Sequence, residues 1–104
     1  PRGYIMSDLT KEKLAQEAIT EKLAGLDGWE QDGDAIKRSY QFDDFLAAIA
    51  FINRIAPHAE ELDHHPELFN VYNRVDITLT THDADGLTDY DFALAARLDA
   101  EVDG

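Results

Sequence analysis

Between Asp44 and Leu62 apolar side chains return every three or four residues, as Phe45, Ile49, Ile52, Ala56 and Ala59. That spacing predicts a long amphipathic helix, which needs an apolar layer to lie on. Asp43 is placed to cap its start. Pro57 falls inside the pattern and allows a kink or a local break. Pro66 disfavours helical geometry at His65, so the adjacent His64 and His65 are expected at the exit from the helix.

The flanking segments supply the rest of such a fold. Leu14, Ala15, Ala18, Ile19, Leu23 and Leu26 form a stripe that predicts a helix from Lys11 to Ala24. Thr10 can cap its start, and Gly25 or Gly28 can stop it. Trp29-Glu30-Gln31 reads as a short strand and Gly33-Asp34 as a turn. Ala35 to Phe42 alternates, with Ile36, Tyr40 and Phe42 on one face and Lys37, Ser39 and Gln41 on the other. Leu68 to Tyr72 and Val75 to Thr81 flank Asn73-Arg74, a tight turn, although alternation alone also allows one strand over Val71 to Leu79. Gly86 is expected in a turn of positive φ. Thr88 opens a last helix carrying Phe92, Leu94, Ala95, Leu98 and Val102, and Asp91 stands where a capping box has Glu or Gln. The order α-β-β-α-β-β-α predicts an α+β fold, a four-stranded antiparallel sheet with three helices packed on one face.

With 104 residues, 44% of them hydrophobic, the chain is expected to hold one modest core. Residues 1–5 read as an expression remnant before Met6, leaving 6–104 as a single domain. There is no apolar run of membrane-spanning length. Zero cysteines exclude disulfides and thiolate chemistry and agree with a cytoplasmic location. Nine basic residues against 22 acidic give a net charge of −13, which disfavours nucleic acid and anionic membranes as partners.

Three of the four histidines fall within Asp63-His64-His65-Pro66 and Thr80-Thr81-His82, and histidine is the side chain suited to moving protons near neutral pH. Glu60-Glu61-Leu62-Asp63-His64-His65-Pro66, Tyr72-Asn73-Arg74-Val75, Leu79-Thr80-Thr81-His82, and Gly86-Leu87-Thr88 with Asp91 follow in order. Together with Gly28-Trp29 and Tyr40 to Phe45 upstream, these blocks resemble the pterin-4a-carbinolamine dehydratases from about Leu9 to Leu98.

The resemblance implies a lyase that removes water from 4a-hydroxytetrahydropterin to give quinonoid dihydropterin. No metal and no cofactor is implied, since a proton suffices as electrophile. The C4a hydroxyl must be protonated to leave, and N5 must lose its proton, so an acid and a base are needed. By resemblance His64 and His82 take these roles, undivided between them, and His65 holds the substrate and assists. Glu60, Asp63, Pro66, Thr80, Thr81 and Asp91 fall at substrate-site positions. Glu60, one helical turn before His64, can orient that imidazole. Asp63 suits the donor edge of the pterin ring and equally suits a solvated helix end. The backbone of Thr80 and Thr81 can bind the flat ring as an added strand would, and Asp91 competes with a structural role in the capping box. His58 reads as an ordinary residue. Leu68 stands where animal members carry tryptophan, which removes one aromatic wall from the site.

Two rival classes stand beside this one. Three histidines can hold zinc, but adjacent ones rarely point at one ion. A non-catalytic dimerisation or assembly module of the same fold is the alternative within the family. The resemblance further implies a homodimer or homotetramer and a link to phenylalanine hydroxylase in tetrahydropterin recycling. Phe51 and Ile55, off the main apolar stripe, are expected to offer a second face to a partner, as are the sheet's edge strands.

Overall fold

The computed structural model of the protein describes residues 8–102, so the expected remnant at 1–5 and Met6 lie outside the described residues. The elements are α1 (Gln16–Ala24), β1 (Glu30–Asp32), β2 (Ala35–Gln41), α2 (Phe45–Leu62), β3 (Glu67–Val71), β4 (Arg74–Leu79), a 3-10 turn (His82–Ala84) and α3 (Asp89–Ala100). The strands form one antiparallel sheet in the order β1-β2-β4-β3. The expected α+β order is the one observed.

Register places Ile36 opposite Leu79 and Tyr40 opposite Val75, so one sheet face carries Ile36, Tyr40, Val75, Ile77 and Leu79, all buried. Against that face pack Phe51 and Ile55 of α2 and Phe92, Leu94 and Leu98 of α3, and Ile19 of α1 joins the same core. His58 ties α2 to the end of α3 through Glu101, 2.8 Å from its Nε2.

The long helix buries a different stripe from the one expected. Ala48, Phe51, Ile55, Ala59 and Leu62 face the core, while Phe45 is exposed and Ile49 and Ile52 are half-buried. Both stripes have helical spacing. Phe51 decides between them, because its ring sits 4.8 Å from Tyr40 and 4.9 Å from Phe42. Phe51 and Ile55 are therefore core residues with no face to offer a partner. Asp44, not Asp43, is the cap, accepting from Ala47 N–H at 2.8 Å, and the helix runs unbroken through Pro57.

Three further local expectations are corrected. The first helix begins at Gln16, not Lys11, and Thr10 does not cap it. Leu14 N–H donates to Leu87 O at 2.8 Å and Thr10 N–H to Asp89 Oδ2 at 3.2 Å, so this segment is tied to the loop before α3 and to that helix's first residue. The hairpin turn is Tyr72-Asn73, one residue earlier than expected. Tyr72 takes the positive φ, and the Asn70 amide spans the turn to the Tyr72 and Arg74 carbonyls. Gly86 has no positive φ; Asp85 beside it does. A Cβ at 86 would meet the Lys13 side chain, Cε at 2.7 Å, which an exposed lysine can relieve by moving.

Asp99, near the end of α3, joins the helix to the sheet. Its carboxylate accepts from Trp29 Nε1 at 3.1 Å, Arg38 Nη1 at 2.8 Å and the Tyr40 hydroxyl at 2.6 Å. Burial first, and then Asp99, push the Tyr40 phenol above the ordinary tyrosine range. The two sheet edges differ. β1 is three polar residues, whereas β3 exposes Leu68, Phe69 and Val71, continued by Tyr72.

Candidate active site

Helix α2 ends in a way that splits the histidine pair. Asp63 adopts the left-handed conformation (φ 50°), with its N–H donating to Glu60 O and the His64 N–H to Ala59 O. Aspartate tolerates that conformation better than most residues. Beyond it His64 turns inward, 8% exposed, and His65 turns out.

His64 Nε2 lies 2.6 Å from Asp91 Oδ1, and Asp91 is fully buried. The capping box holds this carboxylate. Oδ2 accepts from Thr88 N–H at 3.0 Å and from the Thr81 hydroxyl at 2.8 Å. Thr81 Oγ1 is also 2.8 Å from Thr88 Oγ1, which accepts from Tyr90 N–H. Since the Thr81 proton goes to Asp91, Thr88 donates to Thr81 and the chain of bonds runs one way. With Asp91 ionised, Nε2 of neutral His64 carries the proton and Nδ1 keeps a free electron pair. Asp91 thus serves both the helix start and the imidazole, where the sequence presented these as competing readings.

Glu60 pairs with His65, Oε2 to Nε2 at 2.6 Å, and not with His64 as expected. The left-handed turn at Asp63 breaks the helical spacing that would have carried His64 over Glu60. His82 opens the 3-10 turn after β4. Its side chain is 82% exposed and its Nε2 is 4.0 Å from Glu67 Oε2. The two adjacent imidazoles therefore address different carboxylates on different sides of the chain.

His64, His65, His82, Asp63, Thr80 and Thr81 line one cleft of about 220 Å³. Glu60 and Asp91 stand outside that lining and touch it through His65 and His64. Pro66 is half-buried and does not line it. Thr81 N–H donates to Gly86 O, and Thr81 O accepts from Gly86 and Ala84, so the added-strand mode is closed to Thr81. The Thr80 hydroxyl is turned to Asp34 O at 2.6 Å. Two lining residues, Lys11 and Asp83, carried no signal in the sequence. The helix expected from Lys11 begins only at Gln16, which leaves Lys11 in the segment before it.

A cleft with one carboxylate-locked imidazole, one solvated imidazole and one held by a surface carboxylate has what a two-proton elimination needs. Residues 12–101 match the family model for pterin 4 alpha carbinolamine dehydratase. The chain belongs to the pterin 4 alpha carbinolamine dehydratase family. It is 50% identical over 95 residues to a Sinorhizobium medicae protein provisionally named as such a dehydratase, covering 89% of this chain and 90% of that one. A Mesorhizobium japonicum protein of the same provisional name is 51% identical over 92 residues, 86% of this chain and 94% of its own. The crystal structure of a transcriptional coactivator/pterin dehydratase from Brucella melitensis superposes with a TM-score of 0.85 at 44% identity, over 88% of this chain and 99% of that one. A pterin dehydratase-like protein described as a RuBisCO assembly factor of the alpha-carboxysome shares the fold alone, at TM-score 0.60 and 24% identity over 71% of this chain and 86% of its own.

Proposed function

We propose that this member of the family is a working dehydratase. It takes water from 4a-hydroxytetrahydropterin and yields quinonoid dihydropterin. The observation that carries the reading is the buried His64–Asp91 pair on the wall of a cleft shared with His65 and His82. One proton goes to the C4a hydroxyl, which leaves as water while the N5 electron pair forms the C4a–N5 double bond. The N5 proton then passes to a base. His64, whose Nε2–H is committed to Asp91, offers Nδ1 as that base. His82, open to solvent, suits the acid. His65, steadied by Glu60, holds the ring together with Asp63 and Thr80. No metal or cofactor enters this scheme.

The setting that goes with this activity is the recycling of tetrahydropterin in the cytoplasm beside an aromatic amino acid hydroxylase such as phenylalanine hydroxylase. No helix among the described residues is long and apolar enough to cross a membrane. The exposed apolar edge at β3 supports a homodimer or homotetramer. It also favours the second reading, a non-catalytic dimerisation or assembly module.

A stopped assay with synthetic 4a-hydroxytetrahydropterin separates the two. The dehydratase accelerates loss of the substrate with no added cofactor and is indifferent to exhaustive chelation. Micromolar protein that self-associates but leaves the spontaneous rate unchanged selects the assembly module.

A further inference from the structure

The strap at residues 9–15 does more than close the fold. It is fixed at three points. Leu9 is buried in the core, Thr10 N–H is bonded to Asp89 and Leu14 N–H to Leu87. Between the last two anchors, Lys11 is delivered to the rim of the histidine cleft, which it lines. Its ammonium lies 5.3 Å from the centroid of the Tyr90 ring, and that ring lies 5.9 Å from the ring of His64. Stacking on an aromatic face of this kind fixes a cation without neutralising it.

Lys11 is the one lysine or arginine among the described residues that line this cleft, and it makes no ion pair among the described residues. The other charged lining groups are the carboxylates of Asp63 and Asp83, in a chain of net charge −13. An anionic ligand approaching this rim meets the two carboxylates of Asp63 and Asp83, and Lys11 is the ammonium placed to offset them. A neutral ligand needs no such offset.

Resting on the pterin-binding reading of the cleft, we propose that Lys11 is a specificity-determining residue. Its ammonium binds an anionic oxygen on the substrate's C6 substituent and selects carboxylated pterins over neutral ones. C6 is bonded to N5, so a substituent there lies beside the reacting edge that the histidines must reach. An exposed cation on a flexible stem at the rim is suited to meet it.

The test is binding, so that it does not depend on turnover. The probes are 6-carboxy-7,8-dihydropterin and 6-hydroxymethyl-7,8-dihydropterin, titrated into the intact protein, Lys11→Met and Lys11→Arg. Lys11→Met should weaken the carboxylate probe by about five- to tenfold, the scale of one charge-assisted contact. It should leave the hydroxymethyl probe within about twofold, and Lys11→Arg should restore the difference. The preference of the unaltered protein should also shrink as salt rises. Equal weakening of both probes, or a lowered melting temperature with the ratio unchanged, overturns the proposal and leaves Lys11 as packing on Tyr90. Dehydration by the unaltered protein is scored separately. Loss of that activity with the ratio intact counts against the dehydratase reading alone, and failure to bind either probe counts against both.

Discussion

His64 Nε2 and Asp91 Oδ1 stand 2.6 Å apart across 27 residues of sequence, and the same carboxylate completes the capping box of α3. The start of a helix and the orientation of an imidazole are thereby set by one side chain. Asp91→Asn separates them. The amide can still accept from Thr88 N–H, but it removes the charge that holds the His64 proton on Nε2. kcat should fall by at least about 10²-fold, as when a carboxylate partner of an acid–base histidine is neutralised, with little change in KM. Steady-state kinetics beside a melting curve checks this. A kcat loss no greater than the loss of folded protein would assign Asp91 to the helix alone.

The three histidines should part company on mutation. His64→Ala and His82→Ala should each lower kcat by about 10²–10⁴-fold, the usual worth of a general acid or base. His65→Ala should raise KM more than it lowers kcat, because His65 is tied to the exposed Glu60 and its proposed work is holding the ring. Small, equal KM effects at all three positions would reduce them to pocket lining.

Tyr40 gives the fold an alkaline limit. Its phenol is held above the ordinary tyrosine range in the folded chain. The folded state therefore keeps its proton where the unfolded state has lost it. This stability is complete below the unfolded value of about 10 and is lost as pH rises beyond it, by about 1.4 kcal/mol for each pH unit. Tyr40→Phe should cost about 1 kcal/mol near neutrality, for the bond to Asp99, and flatten the alkaline decline. Thermal melts from pH 8 to 12 measure both, and parallel alkaline slopes in the two proteins would dismiss Tyr40 as the cause.

Strand β3 is the edge expected to pair. Phe69→Lys places a charge on the outward face of that edge and should leave the protein monomeric at concentrations where the unaltered chain self-associates. In the unaltered protein, association should tighten as salt screens the repulsion between chains of net charge −13. Light scattering across a salt series reads the mass. A monomer at every salt and protein concentration would remove the oligomer, and dissociation on adding salt would remove the electrostatic argument.

Element order was legible in the sequence because period and punctuation agree along the chain, as in the alternation of Ala35 to Gln41 and the capping box at Thr88. The burial of α2 was not. Two apolar stripes overlap on that helix, and the choice lies with the rings of Tyr40 and Phe42, which only the folded sheet presents to Phe51. In the cleft, residue types were legible and pairings were not. Helical spacing pointed from Glu60 to His64, and a single left-handed residue at Asp63 redirected both histidines. Lys11 was hidden for a related reason, since the segment before Gln16 is held outside the helix by hydrogen bonds to Leu87 and Asp89, more than 70 residues away.

The bond from Thr10 to Asp89 and the bonds from Trp29 to Asp99 clasp the first third of the chain to α3, across 79 and 70 residues. A growing polypeptide cannot close either clasp until α3 has been made, and contacts so distant in sequence are slow to form. His64 waits for the same helix to bring Asp91. Competence of the cleft is thus a late event in the life of each molecule. A nascent or clipped chain ending before residue 89 would carry all three histidines of the cleft and still lack the carboxylate that orients the buried one.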